Sequence, residues 1–288
     1  MISTLTTADG VALHVHAWPT DAPGLGTVLI VHGLGEHIGR YARVASHLDA
    51  RGWNVVGYDH RGHGRSGGAK GRLAERNDLL RDLALVIDAV RARQPDTLML
   101  LGHSLGGLIA ARFVAEGLAD APAPWWRKVD GLVLSSPALD PGMNAVQKLL
   151  LAVAGPLAPD LAIGNGVKPA WISREAAVVQ AYQDDPLVHD RVTPRLAGFI
   201  VDAGAHVLAA APRWSLPTLL MYAGNDRCVA PRGSAAFAAA APKAVVQARE
   251  FRRLYHEIFN EPEHAEVFAV LDAWLAAPHV DGVIRQAL

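Results

Sequence analysis

One stretch of this 288-residue chain restricts its fold more than any other. Thr97 to Leu101 is an apolar run of strand length, Gly102-His103-Ser104-Leu105-Gly106 follows it, and Leu108 to Val114 then has helical character. A serine at a sharp strand-to-helix bend projects its hydroxyl outward only if the residues two positions away have no side chain to clash. The N–H groups that begin the helix favour negative charge in the same space. The stretch therefore predicts that Ser104 is a nucleophile for attack on a carbonyl group.

The rest of the chain predicts an α/β fold around this turn. Apolar runs of strand length alternate with amphipathic helical patterns, and the chain is long enough for one large α/β domain. The remaining runs of this kind are Thr27 to Val31, Trp53 to Tyr58, Val129 to Ser135, Thr218 to Ala223 and Val245 to Phe251. Strands that are apolar throughout indicate a mostly parallel central sheet covered by helices on both faces.

Residues 137–213 interrupt the alternation. They contain eight prolines and helical patterns but no clear strand. A structureless loop of this length is improbable in a compact domain, so we predict a helical cap over the carboxyl ends of the strands. An open α/β sheet places its site at that edge. The core is then formed by 1–136 and 214–288.

An acid and a base follow the last two predicted strands. Asp226 lies on a turn after the first of these strands, and His256 lies in the loop after the second. The order Ser104, Asp226, His256 is the one an α/β-hydrolase requires. We expect His256 to take the serine proton and Asp226 to fix the imidazole tautomer. His264, where the terminal helix should begin, is the alternative base, and Asp202, inside the cap, is the alternative acid.

Two backbone N–H groups are needed to stabilise the oxyanion. One is expected from Leu105, directly after the nucleophile, and the other from Leu34, in the turn after the Thr27 to Val31 strand. Gly33 and Gly35 let that turn approach a substrate closely. Each such donor typically stabilises the transition state by about 3 kcal/mol.

With these residues placed, the chain resembles α/β-hydrolases of the monoacylglycerol lipase and lysophospholipase group, which are serine aminopeptidase S33-like. Four specific stretches and one shorter one carry the resemblance. They are His32-Gly33-Leu34-Gly35-Glu36-His37, Asp59-His60-Arg61-Gly62-His63-Gly64-Arg65-Ser66, Gly102-His103-Ser104-Leu105-Gly106-Gly107, Gly224-Asn225-Asp226-Arg227-Cys228-Val229 and Tyr255-His256-Glu257. The resemblance implies the same nucleophile, acid, base and oxyanion donors, and a cap that admits acyl chains. Within the cap, Asp185-Pro186-Leu187-Val188-His189 is also similar to the group.

The predicted function is therefore that of a serine hydrolase acting on carboxylic esters with apolar acyl chains. A monoacylglycerol is the preferred substrate, an acyl-enzyme forms on Ser104, and no cofactor or metal is needed. A lysophospholipase or a broad carboxylesterase is the first alternative. An aminopeptidase or a thioesterase is less favoured, because the fold alone does not separate these activities. A non-catalytic binding protein is the alternative from another class.

Composition and the remaining patterns exclude other classes. The net charge of −1 leaves no basic excess for nucleic acid, and the single cysteine, Cys228, allows no intrachain disulfide. Met1 to Gly10 lacks the features of a signal peptide, so a soluble, cytoplasmic protein is expected. Gly62, Gly64 and Gly67 spell a dinucleotide fingerprint, but no helix opens there. Five histidines in turns could suggest a metal site, but the hydrolase pattern already explains their positions. They are His32, His37, His60, His63 and His103.

Contact with membranes is left open by the sequence. Trp125-Trp126 and the Leu149 to Leu151 run fit either lipid contact or packing in the cap or core, and packing is the preferred interpretation. Transient contact of the cap with a membrane surface stays an alternative.

His256-Glu257 begins like a zinc-binding H-E-x-x-H helix, but Asn260 occupies the closing position.

Overall fold

The computed structural model describes residues 3–18, 24–94 and 97–277. Met1 and Ile2, in the segment examined for a signal peptide, and 278–288, at the end of the predicted core, lie outside the described residues. The strands are β1 (Thr4–Thr6), β2 (Ala12–Trp18), β3 (Thr27–Val31), β4 (Asn54–Tyr58), β5 (Leu98–His103), β6 (Gly131–Ser135), β7 (Ile163–Gly164), β8 (Arg191–Val192), β9 (Thr218–Ala223) and β10 (Val246–Phe251). The α-helices are α1 (Ala42–Asp49), α2 (Asp78–Arg91), α3 (Leu105–Glu116), α4 (Ala145–Leu157), α5 (Ala176–Asp184), α6 (Pro194–Ala210), α7 (Pro231–Ala240) and α8 (His264–Leu275).

A mostly parallel sheet positions the site. Its order among the described residues is β1-β2-β4-β3-β5-β6-β9-β10. The pairs β1–β2 and β2–β4 are antiparallel. The other neighbouring pairs of this sheet, β4–β3, β3–β5, β5–β6, β6–β9 and β9–β10, are parallel. The carboxyl ends of the parallel strands therefore meet at one edge of the sheet, where the loops after β3, β5, β9 and β10 converge. The α/β prediction is confirmed.

Side chains of β5 alternate between two apolar layers. Leu98 and Leu100 lie in the cluster that includes residues of α2 and α3, whereas Met99 and Leu101 lie in the cluster that includes residues of α1 and α8. All four are at most 1% exposed. Complete burial of a side chain of this size stabilises the fold by about 1.5–3 kcal/mol. This packing on both faces fixes β5, and with it the position of Ser104.

The segment between β6 and β9 contains α4, α5 and α6. Helix α6 packs on α3, and its Leu196, Phe199 and Val207 belong to the same apolar cluster as the sheet. Two short 3₁₀-helices, Pro169–Trp171 and Ala211–Arg213, complete the segment's helical structure. The division of the chain into a core and a cap at 137 and 213 remains a prediction, since α6 packs directly on α3 of the predicted core.

Two expectations for this segment are wrong. The absence of strands is contradicted by β7 and β8, which pair antiparallel through Ile163 with Val192 and Gly164 with Arg191. Two-residue strands carry too little alternation to be read from sequence. The preferred packing interpretation fails at Leu149 and Leu150, which are 65% and 62% exposed.

The packing interpretation holds for the two tryptophans. Trp125 and Trp126 are partly buried against the core, and the Trp125 ring lies 5.5 Å from that of Phe113. A search of the described residues for a helix both long and apolar enough to cross a bilayer finds none.

Candidate active site

Ser104 occupies a strained turn between β5 and α3. Its φ and ψ angles are 53° and −119°, a conformation that residues with a side chain rarely adopt. The backbone there is held by hydrogen bonds from Ser104 N–H to the Ser135 carbonyl at 3.0 Å and from Leu108 N–H to the Ser104 carbonyl at 3.0 Å. Such strain persists only where the surroundings over-determine it, and it occurs typically at functional sites.

The flanking glycines permit the turn. A Cβ atom on Gly106 would lie 2.0 Å from the Val31 carbonyl oxygen, and one on Gly102 would lie 2.5 Å from the Gly106 carbonyl oxygen. Both distances are far below van der Waals contact, and the obstacles are backbone atoms that cannot move aside. The close approach of β3, β5 and α3 therefore requires glycine at both positions.

The loops after β9 and β10 bring Asp226 and His256 to Ser104. His256 Nε2 lies 2.8 Å from Ser104 Oγ, and His256 Nδ1 lies 2.7 Å from Asp226 Oδ2. The other carboxylate oxygen of Asp226 accepts the N–H groups of Cys228 at 2.8 Å and Val229 at 3.0 Å. Ser104, Asp226 and His256 thus form one continuous hydrogen-bonded chain, and all three side chains are largely buried.

The electrostatic surroundings suit proton transfer. Burial lowers the pKa of His256, but the charge and hydrogen bond of Asp226, with smaller effects of Glu257 and Glu36, raise it overall above 6.5. Burial also opposes ionisation of Asp226, yet His256 and two backbone N–H groups hold its pKa below 3.8. The neighbouring His103 behaves differently, because burial and the charge of His256 lower its pKa to about 4. The arrangement therefore stabilises an imidazolium on His256 and disfavours one on His103.

The two predicted oxyanion donors line the same cavity as Ser104. Within the described part of the chain, neither the Leu34 nor the Leu105 amide donates to another protein group. Gly33 lies against Ser104, since a Cβ atom on Gly33 would be 3.2 Å from Ser104 Cβ. Both amides are therefore available to an incoming oxygen atom.

The alternative acid and base lie elsewhere. Asp202 is exposed and forms an ion pair with Arg76. His264 begins α8, and its Nδ1 contacts the Glu261 carbonyl oxygen at 2.8 Å. Neither residue takes part in the hydrogen-bonded chain that ends at Ser104.

The histidines considered as metal ligands form mainly protein contacts. His32 Nδ1 contacts the Gly33 carbonyl oxygen, His60 Nε2 contacts the His32 carbonyl oxygen, and His37 Nε2 contacts Asp185. Asp226, Cys228 and His256 offer three potential ligand atoms within 4.8 Å of one another. Because Asp226 and His256 are already hydrogen-bonded to each other, that group fits a proton relay better than a metal site.

A cavity of about 680 Å³ opens at Ser104 beneath the segment between β6 and β9. One part is apolar and is lined by Leu151, Ile163, Val167 and Ile200. Another part is polar and is lined by charged and aromatic side chains, namely Glu36, Arg40, Tyr182 and Glu257. A cavity of this size encloses most of a small-molecule ligand.

The polar end of this cavity was not predicted from the sequence. Arg40 donates two hydrogen bonds to Glu257, at 2.7 and 2.8 Å, and one to Glu36, at 2.5 Å. The carboxylate of Glu36 also accepts Gly33 N–H and the Tyr41 hydroxyl, each at 2.6 Å. Burial raises the pKa of Glu36, but Arg40 and these donors hold it below 4.5. The only available signal was that Glu36 and Glu257 adjoin predicted site loops.

Comparisons with known proteins agree with this fold. The chain matches the family described as serine aminopeptidase, S33 (Hydrolase_4) over residues 23–263. A monoacylglycerol lipase from Mycolicibacterium smegmatis is 33% identical over 274 residues, which cover 93% of this chain and 94% of that protein. The solved structure of a monoacylglycerol lipase from Paleococcus ferrophilus superposes with a TM-score of 0.79 at 34% identity, and covers 91% of this chain and 98% of that one.

Another relative is much longer than this chain. An uncharacterized abhydrolase domain-containing protein of Dictyostelium discoideum is 30% identical over 277 residues, which cover 95% of this chain but 29% of that protein. The chain thus spans less than a third of the length of this relative.

The sheet order, the serine turn and the loops that meet there define an α/β-hydrolase. More specifically, the chain belongs to the serine aminopeptidase S33 family, and its relatives place it with the hydrolases of the monoacylglycerol lipase group. The resemblance read from its motifs is confirmed.

Proposed function

We propose that this chain is a serine hydrolase that cleaves monoacylglycerols through an acyl-enzyme on Ser104. The hydrogen-bonded chain from Ser104 through His256 to Asp226, opening into a cavity with an apolar and a polar end, carries the proposal. The relatives named as monoacylglycerol lipases support the choice of ester.

The reaction follows from the positions of these groups. His256 Nε2 accepts the proton of Ser104 as its oxygen attacks the ester carbonyl carbon, and a tetrahedral intermediate forms. The negative oxygen of this intermediate accepts hydrogen bonds from the amides of Leu34 and Leu105. As the intermediate collapses, the imidazolium protonates the departing glycerol oxygen. Water, deprotonated by His256, then attacks the acyl carbonyl, and the fatty acid leaves Ser104.

The two ends of the cavity fit the two parts of a monoacylglycerol. The acyl chain is placed among apolar side chains such as Leu151 and Ile200, where its transfer from water is favourable by about 0.8 kcal/mol per buried methylene. The alcohol is placed toward the polar end, near Arg40 and Tyr182, where hydroxyl groups find hydrogen-bonding partners. A neutral polyol is better matched there than a second acyl chain.

The exposed apolar surface of the cap supports transient contact with a lipid surface. Seven of its large apolar side chains are between 52% and 80% exposed, namely Val146, Leu149, Leu150, Val153, Leu157, Leu161 and Ile163. Exposed apolar patches of this kind typically mark an interaction site. Leu150 and Ile163 belong both to this surface and to the lining of the cavity. A lipid that enters from a membrane therefore passes from one apolar environment into another.

Labelling with a fluorophosphonate probe tests the nucleophile. We expect the folded protein to label and Ser104→Ala not to label. Failure of the folded wild-type protein to label would exclude a serine hydrolase, and persistent labelling of Ser104→Ala would show that another residue is the nucleophile.

Hydrolysis rates across substrate classes test the ester. Monoacylglycerols, lysophospholipids, aminoacyl anilides and p-nitrophenyl esters of graded chain length are compared at matched concentrations. We expect monoacylglycerols to have the highest kcat/KM. A clear preference for acetyl over decanoyl esters contradicts the lipid assignment, and a preference for aminoacyl anilides identifies a peptidase.

A further inference from the structure

Arg40 lies between two buried carboxylates, one that follows β3 in the chain and one that follows β10. Its Nη1 atom donates to Glu36 Oε2 at 2.5 Å and to Glu257 Oε1 at 2.7 Å, and its Nη2 atom donates to Glu257 Oε2 at 2.8 Å. The three side chains are only 11%, 5% and 6% exposed. A planar guanidinium that binds one carboxylate at two points fixes both partners in distance and in orientation.

Glu36 extends this contact to the oxyanion turn. Its Oε1 atom accepts the N–H of Gly33 at 2.6 Å, and Gly33 directly precedes the predicted oxyanion donor Leu34. The backbone of Gly33 also packs against Ser104. Movement of the Glu36 carboxylate would therefore move the peptide group that precedes the Leu34 amide.

Glu257 extends the contact to the base. It directly follows His256, and its own N–H donates to the Ile172 carbonyl at 2.8 Å. Asn260 donates a further hydrogen bond to its carboxylate at 2.9 Å. The residue next to the imidazole is thus held by its backbone and by its side chain.

We propose that Arg40, with Glu36 and Glu257, is a positioning bridge that sets the distance between the oxyanion turn and the His256 loop. The proposal rests on the function proposed above and adds a role in which these residues act through Leu34 and His256, separate from any contact of Arg40 with the alcohol of the substrate. Both loops must be aligned with Ser104 to within a fraction of an ångström, because small misplacements of reacting groups reduce rates strongly. The bridge also leaves two carboxylates against one cation near His256, which favours the imidazolium that forms during the reaction.

A second buried arginine provides a matched control. Arg61 is 6% exposed and binds Asp82 at two points, at 2.6 and 2.7 Å, with Asp78 and Asp9 as further partners. These partners lie on the N-terminal turn and on α2, away from the loops around Ser104. If Arg40 only stabilised the fold, its removal would resemble the removal of Arg61.

The first experiment compares Arg40→Met with Arg61→Met on a short, soluble p-nitrophenyl ester. Both variants are expected to melt at lower temperature, because each leaves buried carboxylates without their cation. Well below that temperature, Arg40→Met should reduce kcat by about 100-fold with little change in KM. Arg61→Met should retain kcat within about twofold, as expected for a site without contact to the reacting groups. Equal effects of the two variants on kcat would overturn the proposal.

Conservative variants test the same proposal if Arg40→Met does not fold. Arg40→Lys retains the charge but not the two-point contact, and should recover part of the lost kcat. Glu36→Gln and Glu257→Gln retain oxygen acceptors, and each should reduce kcat. Because either change breaks the same bridge, the double variant should lose less than the product of the two separate losses. If the loss of kcat in the double variant equals the product of the two separate losses, the two carboxylates act independently and the proposal is wrong.

The pH profile separates positioning from general stability. Glu257→Gln removes a negative charge that raises the pKa of His256, so the acid limb of kcat/KM should move to lower pH. The proton NMR signal of the His256–Asp226 hydrogen bond, followed by titration, reports the same change without any ester. If wild-type protein hydrolyses no ester, the proposed function fails. If it does, and Glu257→Gln changes neither the profile nor the titration, the bridge fails.

Discussion

The rim, which is the part of the site formed by Ser104, Asp226 and His256, and the outer surface of the predicted cap differ in how far their side chains are buried. At the rim, Ser104, Asp226 and His256 are largely buried and joined by short hydrogen bonds. On the cap, α4 exposes apolar side chains such as Leu149 and Val153 to solvent. The rim requires fixed geometry because catalysis depends on preorganised groups. The cap surface tolerates exposed apolar groups, which is useful when the substrate itself is a lipid. Substitutions at the rim should therefore change the chemical step, and those on the cap should change access to substrate.

The largest expected effect is that of Ser104→Ala. Removal of the proposed nucleophile should reduce kcat by about a million-fold, leaving the contribution of the proposed oxyanion donors and of binding. Stopped assays at high enzyme concentration measure the residual rate, and thermal melting checks the fold. A loss below about 100-fold would show that Ser104 does not form the acyl-enzyme.

Asp226→Asn should have the next largest effect. The amide can donate to His256 Nδ1, which favours the imidazole tautomer that cannot accept the Ser104 proton at Nε2. We expect kcat to fall by about 10⁴-fold with the fold retained. As a control, Asp202→Asn changes an exposed acid and should leave kcat unchanged. Similar rates for the two variants would remove Asp226 from the mechanism.

Two glycine-to-alanine substitutions compare the tightness of packing at the rim with that in the segment between β6 and β9. Gly106→Ala places a methyl group 2.0 Å from a backbone oxygen, so it should lower the free energy of unfolding by about 3 kcal/mol or more. Gly198→Ala adds a methyl group in α6 where nothing lies within 4 Å, and should raise stability by about 0.5–1 kcal/mol. Urea unfolding measures both. Destabilisation by Gly198→Ala would show that the segment between β6 and β9 is packed as tightly as the rim.

The pH dependence is expected to be governed by His256. The imidazole must be neutral to accept a proton, and its pKa is raised above 6.5. The value of kcat/KM should therefore fall about tenfold per pH unit as the pH drops below this raised pKa. His103, whose pKa is lowered to about 4, should not contribute near neutral pH, and His103→Gln should leave the midpoint almost unchanged. A midpoint below 6.5 in the wild-type protein would contradict the assignment of the base.

Much of the rim was predictable because each part is local in sequence. Ser104 was identified by a strand, a turn and two glycines within eleven residues, and Asp226 and His256 were identified because they follow strands. Parallel strands bring their carboxyl ends together, so the positions of the loops follow from the fold. The bridge of Arg40 to Glu257 joins residues that are 217 positions apart in the sequence, and no local pattern indicates which acid an arginine will contact.

The cap was less predictable for a different reason. The periodicity of α4 shows where apolar side chains lie, but it does not show whether anything covers them. The same reasoning was right for Trp125, which packs near Phe113, and wrong for Leu149. Burial depends on tertiary partners, and the sequence gives no independent measure of those.

The smallest expected effect, confined to lipid substrates, is that of removing exposed apolar groups from the cap. Leu149→Ser and Val153→Ser alter side chains that are 65% and 54% exposed and do not line the cavity. Together they should reduce hydrolysis of monoacylglycerol in vesicles by about tenfold, because less apolar surface is then buried in lipid. Hydrolysis of a short soluble ester should be unchanged, since the rim is intact. Leu25→Ser, at a 47% exposed position outside the cap, is the matched control and should affect neither substrate. An equal loss on both substrates would show that α4 supports the rim itself rather than the approach of the lipid.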